Sequence, residues 1–347
     1  MALMEKVILA FDSYKGCLSS REANAAAEET FAGTETLSVE MSDGGEGMLA
    51  AFVGAMGGKF VRVTAHDALM RTIDSSYGVC GDTAIVEVAS TIGLQLIEPE
   101  QRNPIRTVSW GVGEQIMDAY RHGIRRFIVG LGGSATSDCG IGMLRAMGDD
   151  WHLVARDCHF TLASDVVNPL FGPNGAARVF APQKGADATM TDYLDSRARR
   201  FADASRRALQ RDFSNAPGAG AAGGLGYAFM QYFGATAKPG ADLLLDTIGF
   251  DNLLDRCSLV VTGEGHSDAQ TLMGKLPMRI LNRARKHGVD VWLVSGGVTD
   301  RDALLEAGFS RVMAVTPDGM SLAEAMRPET ARANIRRTLI SCGSNNL

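Results

Sequence analysis

Carboxylates, lysines and small hydroxyl residues recur in this chain inside glycine-rich loops. Asp12 and Lys15 stand in DSYKG (12–16), Asp43 and Glu46 in SDGGEG (42–47), and Ser134, Thr136 and Asp138 in LGGSATSD (131–138). Asp165 follows an apolar run, Lys184 precedes a glycine in QKGA (183–186), and Glu264, Asp268 and Lys275 share TGEGHSDAQTLMGK (262–275). The mixture suits phosphoryl transfer. Negative oxygens need backbone N–H donors and lysines, Mg²⁺ needs carboxylates, and an accepting hydroxyl needs a carboxylate to take its proton. An aspartate after a strand is often only a helix N-cap, and Asp12, Asp138 and Asp268 each admit that reading. The recurrence of acid plus glycine favours function.

The elements that must position these groups repeat as one unit: a short apolar run, a Gly/acid loop, then a stretch of helical spacing. The runs are Lys6–Phe11, Leu37–Met41, Phe127–Gly130, Ser258–Val261, Val291–Val294 and Val312–Val315. They are β-branched and nearly continuous, as expected of strands buried on both faces of a parallel sheet. Helical spacing follows in segments such as Arg21–Phe31, Gly113–His122 and Met278–His287. This is an α/β chain, whose ligands bind beyond the carboxyl ends of the strands, where the loops fall. From Val61 to Val88 the pattern alternates with little helix, which predicts antiparallel or mixed strands. The expected fold is two α/β domains: a doubly wound, mostly parallel, Rossmann-like (flavodoxin-like) domain from 1–65 plus 263–347, and an inserted mixed α/β domain over 66–262.

Composition narrows the classes. The 347 residues carry 34 basic and 40 acidic side chains, a net charge of −6, which argues against a nucleic-acid binder. The six cysteines form no CxxC pair and read as reduced thiols, and the six histidines fall at no metal-ligand spacing. His122 and His287 each precede a glycine at a predicted helix end, where a cation complements the dipole. No signal-peptide core or membrane-spanning run is present, so a cytoplasmic location is expected. Forty glycines are well above the typical ~7%.

Short motifs are mostly negative. Gly218, Gly220 and Gly223 match GxGxxG, but the preceding residues are polar and end in Pro217, so the strand that a dinucleotide fingerprint requires is missing. A glycine turn opening a helix at Leu225–Phe233 leaves two readings level, phosphate binding by free N–H groups or close packing of helices. Walker A and GxSxG are both absent. The Arg-rich amphipathic segment 187–211 reads as a solvated helix face with Asp195 and Asp203 interspersed.

Taken in order, the loops resemble type I glycerate kinases. The motifs are DSYKG, SDGGEG, RNP (102–104), GVGEQI (111–116), GLGGSATSDCGIGML (130–144), SDVVNPL (164–170), FAPQKGA (180–186), PGAGAAGGLG (217–226), TGEGHSDAQTLMGKLP (262–277) and SGGVTD (295–300). They span nearly the whole chain. The sequence departs from the family pattern at Ser137, Cys139, Ser164, His266 and Ser267, the last two replacing an arginine and an aliphatic residue. The resemblance implies ATP-dependent, Mg²⁺-assisted phosphorylation of D-glycerate, most often at the 2-hydroxyl, with the site in the cleft between two domains. It leaves monomer and homodimer open.

With that chemistry in view, Asp165 is the first choice for general base, Asp268 the second, and Lys15 the cation for the transferred group. Asp12, Lys15, Arg102, Asn168 and Lys184 are expected to bind substrate, with Arg102 on its carboxylate. Gly132, Gly133, Ser134, Thr136, Gly220, Gly223 and Lys275 are expected around ATP, and Asp43, Glu46 and Glu264 around the metal. The alternatives are transfer to the 3-hydroxyl, a kinase for a neighbouring acid such as hydroxypyruvate or tartronate, and a silent nucleotide- or metabolite-binding module.

Overall fold

A computed structural model describes residues 6–42, 45 and 47–343 of the chain. Its strands are β1 (Lys6–Phe11), β2 (Glu35–Ser38), β3 (Lys59–His66), β4 (Thr72–Cys80), β5 (Thr83–Glu87), β6 (Arg126–Gly130), β7 (His159–Ala163), β8 (Thr236–Lys238), β9 (Cys257–Gly263), β10 (His266–Ser267), β11 (Asp290–Ser295), β12 (Gly297–Val298) and β13 (Arg311–Ala314). Contacts divide the chain into two compact units, 1–43 with 241–347, and 44–240.

The first unit holds an all-parallel five-stranded sheet in the order β13-β11-β9-β1-β2. Burial on both faces explains its sequence: Ile8, Leu9 and Ala10 in β1 and Val260 and Val261 in β9 are fully buried. The helix Ser20–Glu28 is fastened to the tip of β1. Asn24 Oδ1 accepts the Phe11 N–H at 3.0 Å and Ser20 Oγ donates to the Phe11 carbonyl at 2.6 Å. A capping box between Ser19 and Glu22 starts that helix. β2 ends at Ser38, earlier than the expected Met41, because the Met41 N–H turns to Ser20 Oγ.

The second unit holds a six-stranded mixed sheet, β3-β4-β5-β6-β7-β8. β3, β4 and β5 are antiparallel neighbours, and β5 through β8 run parallel. The alternating stretch 61–88 is therefore this antiparallel flank. The division at 43/44 and 240/241 differs from the expected joints at 65/66 and 262/263, for two physical reasons. β3 pairs with β4 along eight positions, from Lys59↔Val79 to His66↔Thr72, and so belongs to the inserted sheet. Beyond the second joint, Arg283 on the helix Leu276–Lys286 binds Asp246 at 2.5 Å and Asp251 at 3.0 Å, while Arg279 pairs with Asp242. Those pairs fasten 241–256 to the first unit.

All six cysteines are free, as their spacing predicts. No described helix is long and apolar enough to cross a membrane.

Candidate active site

In the second unit the loop after β6 is held from several sides. The Gly133 carbonyl accepts the Leu94 N–H at 2.8 Å, and the Ala135 N–H donates to Ile92 at 2.7 Å. Thr107 Oγ1 donates to the Ala135 carbonyl at 3.0 Å. Gly133 sits at φ +72°, the left-handed region that favours glycine. Asp138 closes the loop. Its carboxylate accepts the N–H and hydroxyl of Ser109 at 2.9 Å each, and the N–H groups of Gly140 at 3.1 Å and Gly142 at 2.9 Å. Those last two N–H groups open the helix Ile141–Met147, so the capping reading accounts for Asp138.

Lys184 enters this loop from a short turn, Pro182–Lys184, and is only 3% exposed. Its Nζ donates to Ser134 Oγ at 3.1 Å and to the Thr136 carbonyl at 2.7 Å. Among the described residues no carboxylate lies within ion-pair distance of it. Burial pushes the ammonium down to about 7, and the field of Asp138 opposes that only in part. The neighbouring hydroxyls Thr136 Oγ1 and Ser137 Oγ are buried and have no hydrogen-bond partner among the described residues. A buried amine beside two unpaired hydroxyls leaves hydrogen-bonding capacity unused in a place where that is costly.

Other expected residues of this unit meet the same loops. A side chain on Gly185, at φ +94°, would fall 2.4 Å from the Arg102 carbonyl, so Arg102 of the RNP turn lies against the backbone next to Lys184 in sequence. Two glycines of PGAGAAGGLG are closely packed. A Cβ on Gly223 would fall 2.0 Å from the Thr136 carbonyl, and one on Gly220 would fall 2.4 Å from the Pro169 carbonyl. Ala222, Gly223 and Gly224 are successively left-handed, so the segment Ala221–Phe233 opens on a sharp turn. The Gly220 N–H donates to the Asn168 carbonyl at 2.9 Å, while Asn168 Nδ2 donates to Asn174. Asp165 is exposed on the loop that leaves β7, the strand paired with β6.

The first unit carries a second cluster at the carboxyl ends of β1, β9 and β11. Asp12 is buried, its N–H donates to the Gly263 carbonyl at 2.9 Å, and its Oδ1 accepts the Ser13 N–H at 2.8 Å. Lys15 is exposed in the turn that Tyr14 and Leu18 close. Tyr14 Oη donates to the Val294 carbonyl at 2.8 Å, with its phenol pushed up by burial first and then by Cys17 and Glu264. Glu264 Oε1 accepts from Thr271 Oγ1 at 2.6 Å and Ser267 Oγ at 3.0 Å, and Ser267 Oγ meets Ser295 Oγ at 2.7 Å. Lys275 Nζ lies 3.7 Å from both Glu264 Oε2 and Asp268 Oδ1. Desolvation pushes the Asp268 carboxyl up. The Gln270 N–H and the Lys275 ammonium outweigh it and hold the group below its ordinary value. His266, where the resemblance expects arginine, is exposed, with Nε2 3.4 Å from Thr299 Oγ1.

Asp43 and Glu46, two of the three expected metal ligands, lie outside the described residues. Among the described residues no three His, Cys, Asp or Glu side chains form a metal-holding group. Glu264 has one oxygen engaged by two hydroxyls and the other turned toward Lys275. One carboxylate of this kind, joined by phosphate oxygens, is a donor set that magnesium accepts.

Sequence reasoning missed the hydroxyls of Thr271 and Ser295, which are ordinary loop residues in sequence. It also missed Arg197 on the helix Ala188–Leu209, whose Nη2 donates to the Ser137 carbonyl at 2.8 Å. Arg199 flanks the buried Ala198 as Arg197 does, so the sequence carries no signal that separates Arg197 from the outward arginines.

The profile of the Glycerate kinase family matches residues 7–152 and 149–343. The Glycerate 2-kinase of Escherichia coli K12 is 36% identical, over 93% of this chain and 93% of its own. The Glycerate kinase of Bacillus subtilis 168 is 35% identical, over 96% and 95%. A crystal structure assigned to a glycerate kinase 2 of Salmonella typhimurium LT2 matches with a TM-score of 0.84 and 34% identity, covering 99% of this chain and 98% of that one. Fold and similarity together define a kinase of α/β architecture. The chain belongs to the glycerate kinase family.

Proposed function

We propose that this chain transfers the γ-phosphoryl group of ATP to the 2-hydroxyl of D-glycerate, giving 2-phosphoglycerate and ADP. The observation that carries the nucleotide half is the Lys184 ammonium, buried and, among the described residues, without a carboxylate partner, beside the hydroxyls of Thr136 and Ser137, which are unpaired among the same residues. Phosphate oxygens supply the missing acceptors and counter-charge. The name of the Escherichia coli relative supports the 2-position.

In this reading Gly132, Gly133, Ser134 and Thr136 bind the nucleotide phosphates, with Lys184 beneath them. Arg102 and Asn168 are the residues of the second unit assigned to the acid, and Asp12 and Lys15, at the tip of β1, are those of the first. Asp165 is the first choice of base because its carboxylate is exposed at a strand end. Asp268, fixed by Gln270 and Lys275, is the second. The acceptor oxygen forms its bond to phosphorus as the bond to the ADP oxygen breaks, and the hydroxyl proton passes to the carboxylate. Magnesium, when bound, neutralises charge on the phosphates, and Asp43, Glu46 and Glu264 are the acids that would hold it.

ADP release measured with D-glycerate, L-glycerate, hydroxypyruvate and tartronate tests this assignment. The highest kcat/KM is expected for D-glycerate. A higher value for another acid overturns the substrate, and no release with any of them overturns the activity.

A further inference from the structure

Arg197 and Lys184 both reach the loop after β6. The two cations take consecutive carbonyls: Lys184 Nζ holds Thr136 at 2.7 Å, and Arg197 Nη2 holds Ser137 at 2.8 Å. The same residues carry the buried hydroxyls that lack partners, Thr136 Oγ1 and Ser137 Oγ, and the Arg197 Nε–H is also buried and unpaired. Arg197 makes no ion pair among the described residues, although its neighbours on the helix do: Arg199 with Asp195 and Arg206 with Asp203. Gly223 crowds the remaining side of the Thr136 carbonyl. A guanidinium spent on a backbone carbonyl, in preference to a carboxylate, fixes where that peptide points.

We propose that Arg197 is a positioning residue of the nucleotide-binding loop: by holding the Ser137 carbonyl as Lys184 holds that of Thr136, it keeps the hydroxyl edge of both residues turned to phosphate oxygens. The inference rests on the reading of this loop as the nucleotide site. It also makes one arginine of the helix Ala188–Leu209 functional while the outward ones stay solvated. Arg197 touches no substrate itself. Its contribution therefore falls on nucleotide affinity rather than on the chemical step.

The test pairs Arg197→Gln and Arg197→Lys with Thr136→Val and, as a control on the same helix, the exposed Arg200→Gln. KM for ATP, KM for D-glycerate, kcat and the thermal midpoint are measured for each. Arg197→Gln is expected to raise KM for ATP by about tenfold or more, with kcat and KM for glycerate within about twofold of wild type. Arg197→Lys keeps one charged donor and is expected to recover most of the loss, and Arg200→Gln to match wild type. If Thr136→Val raises KM for ATP while Arg197→Gln leaves it unchanged, the positioning role fails and the loop reading stands. If Thr136→Val leaves it unchanged, the loop reading itself fails. If Arg197→Gln lowers kcat and weakens both substrates together with a fallen midpoint that Arg197→Lys does not restore, Arg197 is merely structural.

Discussion

Nucleotide binding at pH 8 is expected to draw close to one proton into Lys184. Burial holds the free ammonium down to about 7, against the 10.5 of an exposed lysine, so roughly a tenth of it is charged at pH 8. A phosphate oxygen at Nζ favours the charged form and returns the group toward its ordinary value. Uptake then approaches about 0.9 proton, and the full return corresponds to roughly 5 kcal/mol of differential interaction as an upper bound. Phosphate groups are already ionised at pH 8, so the proton belongs to the protein. Titration calorimetry with a non-hydrolysable ATP analogue, run in two buffers of different ionisation enthalpy, reads the uptake as the slope between them. The same shift predicts the ligand-free stability. The unfolded chain binds the proton that the folded chain has lost, so stability rises with pH between about 7 and 10.5, by roughly 1 kcal/mol per unit at pH 8 from this group. Lys184→Met is expected to remove that slope. Equal binding enthalpies in both buffers, with an unchanged slope in the variant, refute the reasoning.

Two further expectations follow from single side chains. Asp165→Asn is expected to lower kcat by about 10²–10⁴-fold, and Asp268→Asn by less; near wild-type rates in single-turnover assays of both would remove the carboxylate base. Gly223→Ala combines φ +65° with a Cβ only 2.0 Å from the Thr136 carbonyl. It is expected to cost about 2–4 kcal/mol in urea unfolding, and a loss under about 0.5 kcal/mol would show that the loop relaxes freely.

The parallel strands were legible because burial on both faces leaves an uninterrupted apolar run, as in β1 and β9. Loops at their carboxyl ends were legible for the same reason, since an acid and a glycine must interrupt that run. The joints were not. β3 carries the partly exposed pattern of an edge strand, which does not say which sheet it borders, and only its pairing with β4 assigns it. The two readings of Gly220 and Gly223 looked alike in sequence, since both need a missing Cβ. Distances to the carbonyls of Pro169 and Thr136 show the close approach that only the structure could supply. Asp138 could be read as a phosphate-loop acid or as a cap, and four donors on its carboxylate decide for the cap. Arg197 was hidden because charge on an amphipathic helix usually means solvent.

Phosphorus NMR of the product formed from ATP and D-glycerate tests the central claim most directly. Transfer to the 2-hydroxyl attaches phosphorus to an oxygen on a CH carbon, so a proton-coupled doublet beside the ADP signals is the predicted result. A triplet from a CH₂ carbon would contradict the 2-position, and a spectrum holding only ATP, or ADP with inorganic phosphate, would contradict the activity.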